Sequence, residues 1–395
     1  MKQLTDLNRA LREAADAGQV PGVVAMAATG SEVIYQGAFG KRDLGKPEAM
    51  TLDSVFWLAS MTKAITSTAA MQLVEQGKLA LDRPIGHVLP ELASPQILEG
   101  FDASGNPKLR AAKRPITLRH LMTHTAGYGH GTWNAMLAQY MTYADIPMTR
   151  SCLNKSLLMP LAFDPGERWE YGINTDWVGK AIEAASGQRL DAYLKDHILS
   201  PLGMTDTAFR IGASQRQRLV ALHQRGEDGS LAPVPFEIEQ EPEFHMGGGG
   251  LYSTAPDYIR FLQVLLNGGT LDGQRVLNAE TVQRMGENHI GDLVVSRLAT
   301  TMPQVSRDVD PWPDQDTKWS LAFMMNTRQT PEGRSSGSLA WAGLANTHFW
   351  LDPARGVAGV IMMQFLPFVD LKAMELYSAF ERAVYASLDD TKAAA

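Results

Sequence analysis

A single cysteine, Cys152, stands in 395 residues, so no intrachain disulfide framework is open to this chain. No Cys/His cluster surrounds it, which leaves it a structural residue and excludes the usual metal-ligand pattern. Basic blocks are missing too. The formal net charge is −7 with both signs interspersed, and no Lys/Arg stripe offers itself to nucleic acid. No apolar run reaches the length of a membrane span, and the opening Met1-Lys2-Gln3-Leu4-Thr5 stretch lacks the apolar core of a secretion signal. Repeats are absent. The glycine run Gly247–Gly250 has neither Walker nor dinucleotide spacing. The expectation is a cytoplasmic protein without cofactor, metal, membrane or nucleic-acid partner.

The remainder is ordinary globular composition, 45% hydrophobic and 20% charged, on a length that supports a large core. Leu4, Leu7, Leu11 and Ala14 recur at helical spacing until Gly18. Two β-like runs, Val23–Ala28 and Val33–Phe39, flank the turn residues Thr29-Gly30-Ser31. Further β-like runs cover 319–325, 339–351 and 357–365, and a last helix is expected over 371–386. Residues 79–225 alternate short helical patterns with Pro/Gly loops. The expected fold class is therefore α+β: an antiparallel β-sheet flanked by helices, built from 1–78 and 226–395. A mostly helical lobe, 79–225, is inserted, with the active site between them.

The chemistry concentrates at Ser60-Met61-Thr62-Lys63. Phe56, Trp57 and Leu58 read as the end of a buried extended segment, and Ala64, Ile65, Thr68, Met71 and Val74 continue as a helix. Ser60 then falls in the first turn and Lys63 one turn on, on the same face. A serine hydroxyl needs a neighbouring base, and a buried lysine can supply one. Tyr171, on a loop between the turn Pro165-Gly166 and a helix beginning near Asn174, is a candidate proton relay. On the run 339–351, Gly343 is expected to let substrate approach the strand. The N–H of Leu344 would complete an oxyanion hole with that of Ser60.

Two other motifs compete. Gly333-Arg334-Ser335-Ser336-Gly337 matches G-x-S-x-G, but a strand follows it, and no acid separates Ser335 from His348. His120 and His124 lie one helical turn apart, yet Leu121 stands where a zinc protease has glutamate. A hairpin loop and structural histidines are the expected outcomes.

Ser60/Lys63 near the start, Tyr171 in the middle and Trp341-Ala342-Gly343 near the end form an ordered set. It resembles the serine β-lactamase and penicillin-binding-protein superfamily, nearest class C β-lactamases, and within it the family VIII carboxylesterases. Leu121–Gly127, Pro165–Arg168 and Gly248–Thr254 support the likeness. The stretch from Gly100-Phe101-Asp102 onward also resembles the acyltransferases that load a side chain onto fungal statins. The resemblance implies that Ser60 is acylated, that Lys63 and Tyr171 share the roles of base and relay, and that Tyr128 lines the site. Two positions depart from class C. Ile173 takes the place of the asparagine in Y-x-N, and Trp341 that of the lysine in K-T-G. An indole carries no charge for a β-lactam carboxylate, so a neutral small-molecule ester is favoured and β-lactamase activity should be weak at most. The expected function is a carboxylesterase acting on short- to medium-chain esters. Acyl transfer to an alcohol, or β-lactamase or D-amino-acid peptidase activity, is the alternative, and a non-enzymatic relative ranks lower because Ser60, Lys63 and Tyr171 are all present. Residues 289–317 and 236–246 are expected to shape the acyl pocket.

Overall fold

Seven strands form one antiparallel sheet in the order Thr317–Trp319, Met324–Asn326, Leu339–Gly343, Thr347–Asp352, Val357–Met362, Gly22–Thr29 and Val33–Gly40. The structure is a computed structural model that describes residues 2–310 and 312–394. The chain's two ends thus meet in the sheet, where Val24 pairs with Met362.

The strand Gly22–Thr29, next to the edge strand Val33–Gly40, is buried on both faces, which is why its sequence runs apolar without polar alternation. Val23, Ala25 and Ala27 face the terminal helices Lys2–Asp16 and Leu371–Ala394. Val24, Met26 and Ala28 face the opposite way, toward the helix Ala255–Leu266. The expected α+β sheet flanked by helices is what the chain forms.

Several boundaries differ from the expectation. The β-like run 319–325 is broken into two strands because the Ser320 hydroxyl accepts the N–H groups of Ala322 and Phe323 and closes a turn. The run 339–351 is a hairpin, with Asn346 in the left-handed region at φ 58°. The stretch 79–225, expected to be mostly helical, contains a hairpin, Gln96–Phe101 with Pro107–Ala111. Its turn is tied by the Asp102 carboxylate to the N–H groups of Ser104 and Asn106. One hydrophobic core runs from Val24 through Leu121, Trp177 and Leu190 to Phe349, so the helices of this stretch share their packing with the sheet.

The helix Thr62–Glu75 passes through the middle of this core, buried from Thr62 to Leu73 on every side. Its polar side chains are matched to backbone carbonyls: Thr66 donates to Gly247, and Gln72 to His197 and Val276.

Candidate active site

Ser60 lies in a 3-10 turn, Ala59–Met61, that leads into the helix; it is not in the first α-helical turn. Ala59 takes φ 45°, a strained value for a residue with a Cβ. Neighbouring contacts hold it there. Leu58 N–H donates to Leu251, and the Thr347 hydroxyl donates to the Leu58 carbonyl.

Three side chains converge on the serine. Tyr171 Oη lies 2.6 Å from Ser60 Oγ, and Lys63 Nζ lies 3.2 Å from it. Lys63 also donates to the Gly248 carbonyl at 2.6 Å and sits 4.7 Å from the centre of the Tyr171 ring. The indole N–H of Trp341 reaches Tyr171 Oη at 3.3 Å. The cluster can therefore take the proton of Ser60 and return it without exposing a charge to bulk water.

The glycine run explains how Lys63 finds its acceptor. A Cβ on Gly248 would come within 2.9 Å of the Asp176 carboxylate, and one on Gly247 within 3.0 Å of the Thr175 carbonyl. Gly248 N–H donates to Asp176 Oδ1 at 2.8 Å, so the two peptide groups flanking Gly248 meet Asp176 through an N–H and Lys63 through a carbonyl. Burial raises the Asp176 carboxyl to about 6, opposed by the Lys63 charge and the Gly248 N–H. Asp176 carries no recognisable motif; its position in the first turn of the buried helix Asn174–Ser186, just after the loop that holds Tyr171, brings it here.

A cavity of about 290 Å³ opens over Ser60. Phe236 and Met246 from one expected segment, and Met302, Gln304 and Val305 from the other, line it with Trp57 and Leu344. The N–H groups of Ser60 and Leu344 take part in none of the loop, turn and cap hydrogen bonds among the described residues.

Three expected substrate contacts are corrected. Tyr128 is buried against Trp177, with its carbonyl accepting from Asn174, and does not reach the cavity. Gly343 is required by the fold: a Cβ there would lie 2.2 Å from both the Leu58 carbonyl and the Thr347 hydroxyl. Trp341 is buried between Trp319 and Tyr171, donates to Tyr171 Oη and does not line the cavity over Ser60. Asn174, three residues after Tyr171, donates to His124 Nδ1.

The competing motifs part from the site. Ser335 sits in the connection between Met324–Asn326 and Leu339–Gly343, its N–H donating to Asp352. His120 caps its own short helix through Thr117, while His124 binds Asn174. They share no ligand-like geometry. His130, which lines the cavity beside Tyr171, is a site residue for which no sequence signal had pointed.

Sheet, flanking helices and a hydrogen-bonded Ser–Lys–Tyr cluster define the β-lactamase/transpeptidase class of acyl-serine proteins. The chain belongs to the beta-lactamase family, whose model matches residues 7–382. It is similar to the ML-236A carboxylate methylbutanoyltransferase of Penicillium citrinum, 31% identical over 98% of this chain and 95% of that protein. The lovastatin esterase of Penicillium rubens is 30% identical over 96% of this chain and 98% of its own length. Among solved structures, a mutant of the simvastatin synthase from Aspergillus terreus superposes with a TM-score of 0.86 at 30% identity, covering 98% of this chain and 96% of that one. Family and cluster together make this an enzyme with serine acyl-enzyme chemistry.

Proposed function

We propose that the protein moves a carboxylic acyl group from an ester onto an alcohol through an acyl-enzyme on Ser60, and hydrolyses that intermediate when water is the acceptor. The observation that carries this is the contact of Ser60 Oγ with both Tyr171 and Lys63. The sequence alone favoured plain hydrolysis. A methylbutanoyltransferase and a statin synthase among the relatives support transfer more strongly, and the lovastatin esterase keeps hydrolysis on the same intermediate.

In the first half-reaction Lys63 and Tyr171 take the Ser60 proton as Oγ attacks the ester carbonyl. The N–H groups of Ser60 and Leu344 face the developing oxyanion, and Tyr171 protonates the leaving alkoxide. In the second, the acceptor's hydroxyl proton passes through the same pair to Ser60 Oγ as the acyl–serine bond breaks. Trp341 supports Tyr171 and supplies no charge for a β-lactam carboxylate, so a neutral ester remains the favoured donor.

Turnover of p-nitrophenyl butyrate by the wild type, Ser60→Ala and Ser335→Ala tests this. Ser60→Ala should lose at least about 10³-fold in kcat, and Ser335→Ala should stay within about twofold. With 1-butanol added, the wild type should form butyl butyrate. An active Ser60→Ala, or a wild type that cleaves no ester, would overturn the reading.

A further inference from the structure

The cavity lining is chemically uneven. Trp57 and Phe236 pack ring to ring at 4.5 Å and, with Met246, give an apolar stretch suited to an acyl chain. The turn 130–133 brings a different surface. His130 lines the cavity with its ring between Tyr171, 5.3 Å away, and Trp133, 5.8 Å away. Its backbone carbonyl accepts from Trp133 N–H, but among the described residues no hydrogen bond reaches either ring nitrogen. The residue as a whole keeps intermediate exposure while its imidazole is desolvated by burial; His124 nearby is buried and bonded to Asn174. Trp133 adds a second unmatched group to this turn, an indole N–H buried without an acceptor.

An unpaired polar group lining a site is costly unless a ligand completes it. Burial, and then the Lys63 charge, lower the His130 imidazole to about 3, so at neutral pH the ring offers one N–H and one lone pair. A hydroxyl, which donates and accepts, matches that pattern. An ammonium fits less well, because it would face Lys63 and Arg150 on the same cavity.

We propose that His130 holds the hydroxyl of the acceptor alcohol beside Tyr171, and so directs the acyl group on Ser60 toward the alcohol and away from water. This rests on the acyl-transfer reading above. The bond from the acyl carbon to the acceptor oxygen forms as the bond to Ser60 Oγ breaks. The hydroxyl proton travels through Tyr171 and Lys63 to Oγ, and His130 keeps its own proton throughout.

The test measures butyl butyrate against butyrate from p-nitrophenyl butyrate and 1-butanol, with the nitrophenol burst reporting acylation. His130→Phe keeps the ring packing and removes both nitrogens. It should lower the transfer-to-hydrolysis ratio about tenfold, about 1.4 kcal/mol, with a raised apparent KM for 1-butanol. His130→Gln, which restores a donor and an acceptor, should recover part of that ratio. If His130→Phe does not fold, His130→Ala answers the same question. An unchanged ratio in the variant that lacks the nitrogens overturns the proposal. So does a wild type that hydrolyses the ester but forms no butyl ester, while the acyl-enzyme itself survives. A wild type that releases no nitrophenol removes the acyl-transfer reading and this proposal together.

Discussion

Around Ser60, the charged groups are matched to backbone at Gly248. Lys63 donates to the Gly248 carbonyl and Asp176 accepts from the Gly248 N–H, so adjacent peptide groups satisfy the two side chains. Keeping Asp176 buried has a measurable cost. Its folded carboxyl lies at about 6 against an ordinary 3.8. Between those values the folded protein holds more protons than the unfolded chain, so stability falls as pH rises through that window. The full gap corresponds to about 3 kcal/mol, complete by pH 7.5. Asp176→Asn keeps the oxygen that accepts from Gly248 and removes the charge. Its Tm should match the wild type at pH 4 and exceed it by a few degrees at pH 7.5. Thermal melts at the two pH values decide this; an advantage that shrinks with rising pH would contradict it.

At the scale of elements, the catalytic turn is wedged between the strand Leu339–Gly343, the Thr347 side chain and the glycine run. The strained Ala59 persists because these neighbours over-determine it. Gly343 is the tightest point, and no rotamer change relieves a Cβ placed 2.2 Å from the Leu58 carbonyl. Gly343→Ala should push the strand end from the serine turn, costing about 2–3 kcal/mol in stability and at least tenfold in kcat. Urea unfolding and ester turnover measure the two effects. Normal stability with normal turnover would show that the strand end yields freely.

Across the whole molecule, both terminal helices cover one face of the sheet while the helix that carries Lys63 packs on the other side. A buried ion pair, Arg334 with Glu381 at 3.4 Å, ties the loop before the strand Leu339–Gly343 to the C-terminal helix. It borders a second cavity of about 460 Å³ that contains none of Ser60, Lys63 and Tyr171. Removing one partner strands the other charge in the core. Glu381→Leu and Arg334→Met should each destabilise by about 3–5 kcal/mol, and the double variant should recover most of the loss. A double-mutant cycle in urea measures the coupling; additive losses would show that the pair contributes nothing as a pair.

Ser60, Lys63 and Tyr171 were legible in the sequence because their chemistry depends on residue type and on local spacing. Three residues apart on a helical path puts a lysine beside a serine wherever the chain goes next. The sheet was legible from period-two and continuous apolar runs, and the loss of lysine at Trp341 from a single letter. Breaks within those runs were not, because a hydroxyl such as Ser320 closes a turn only when the backbone around it has already bent. Gly343 and Tyr128 were misread for a related reason: a glycine shows that something comes close, and only the fold shows that it is Leu58. Asp176 and His130 belong to the tertiary structure entirely. Neither has a spacing that marks it, and what each can do follows from burial, from the Lys63 charge and from the cavity, none of which exists until the distant segments pack together.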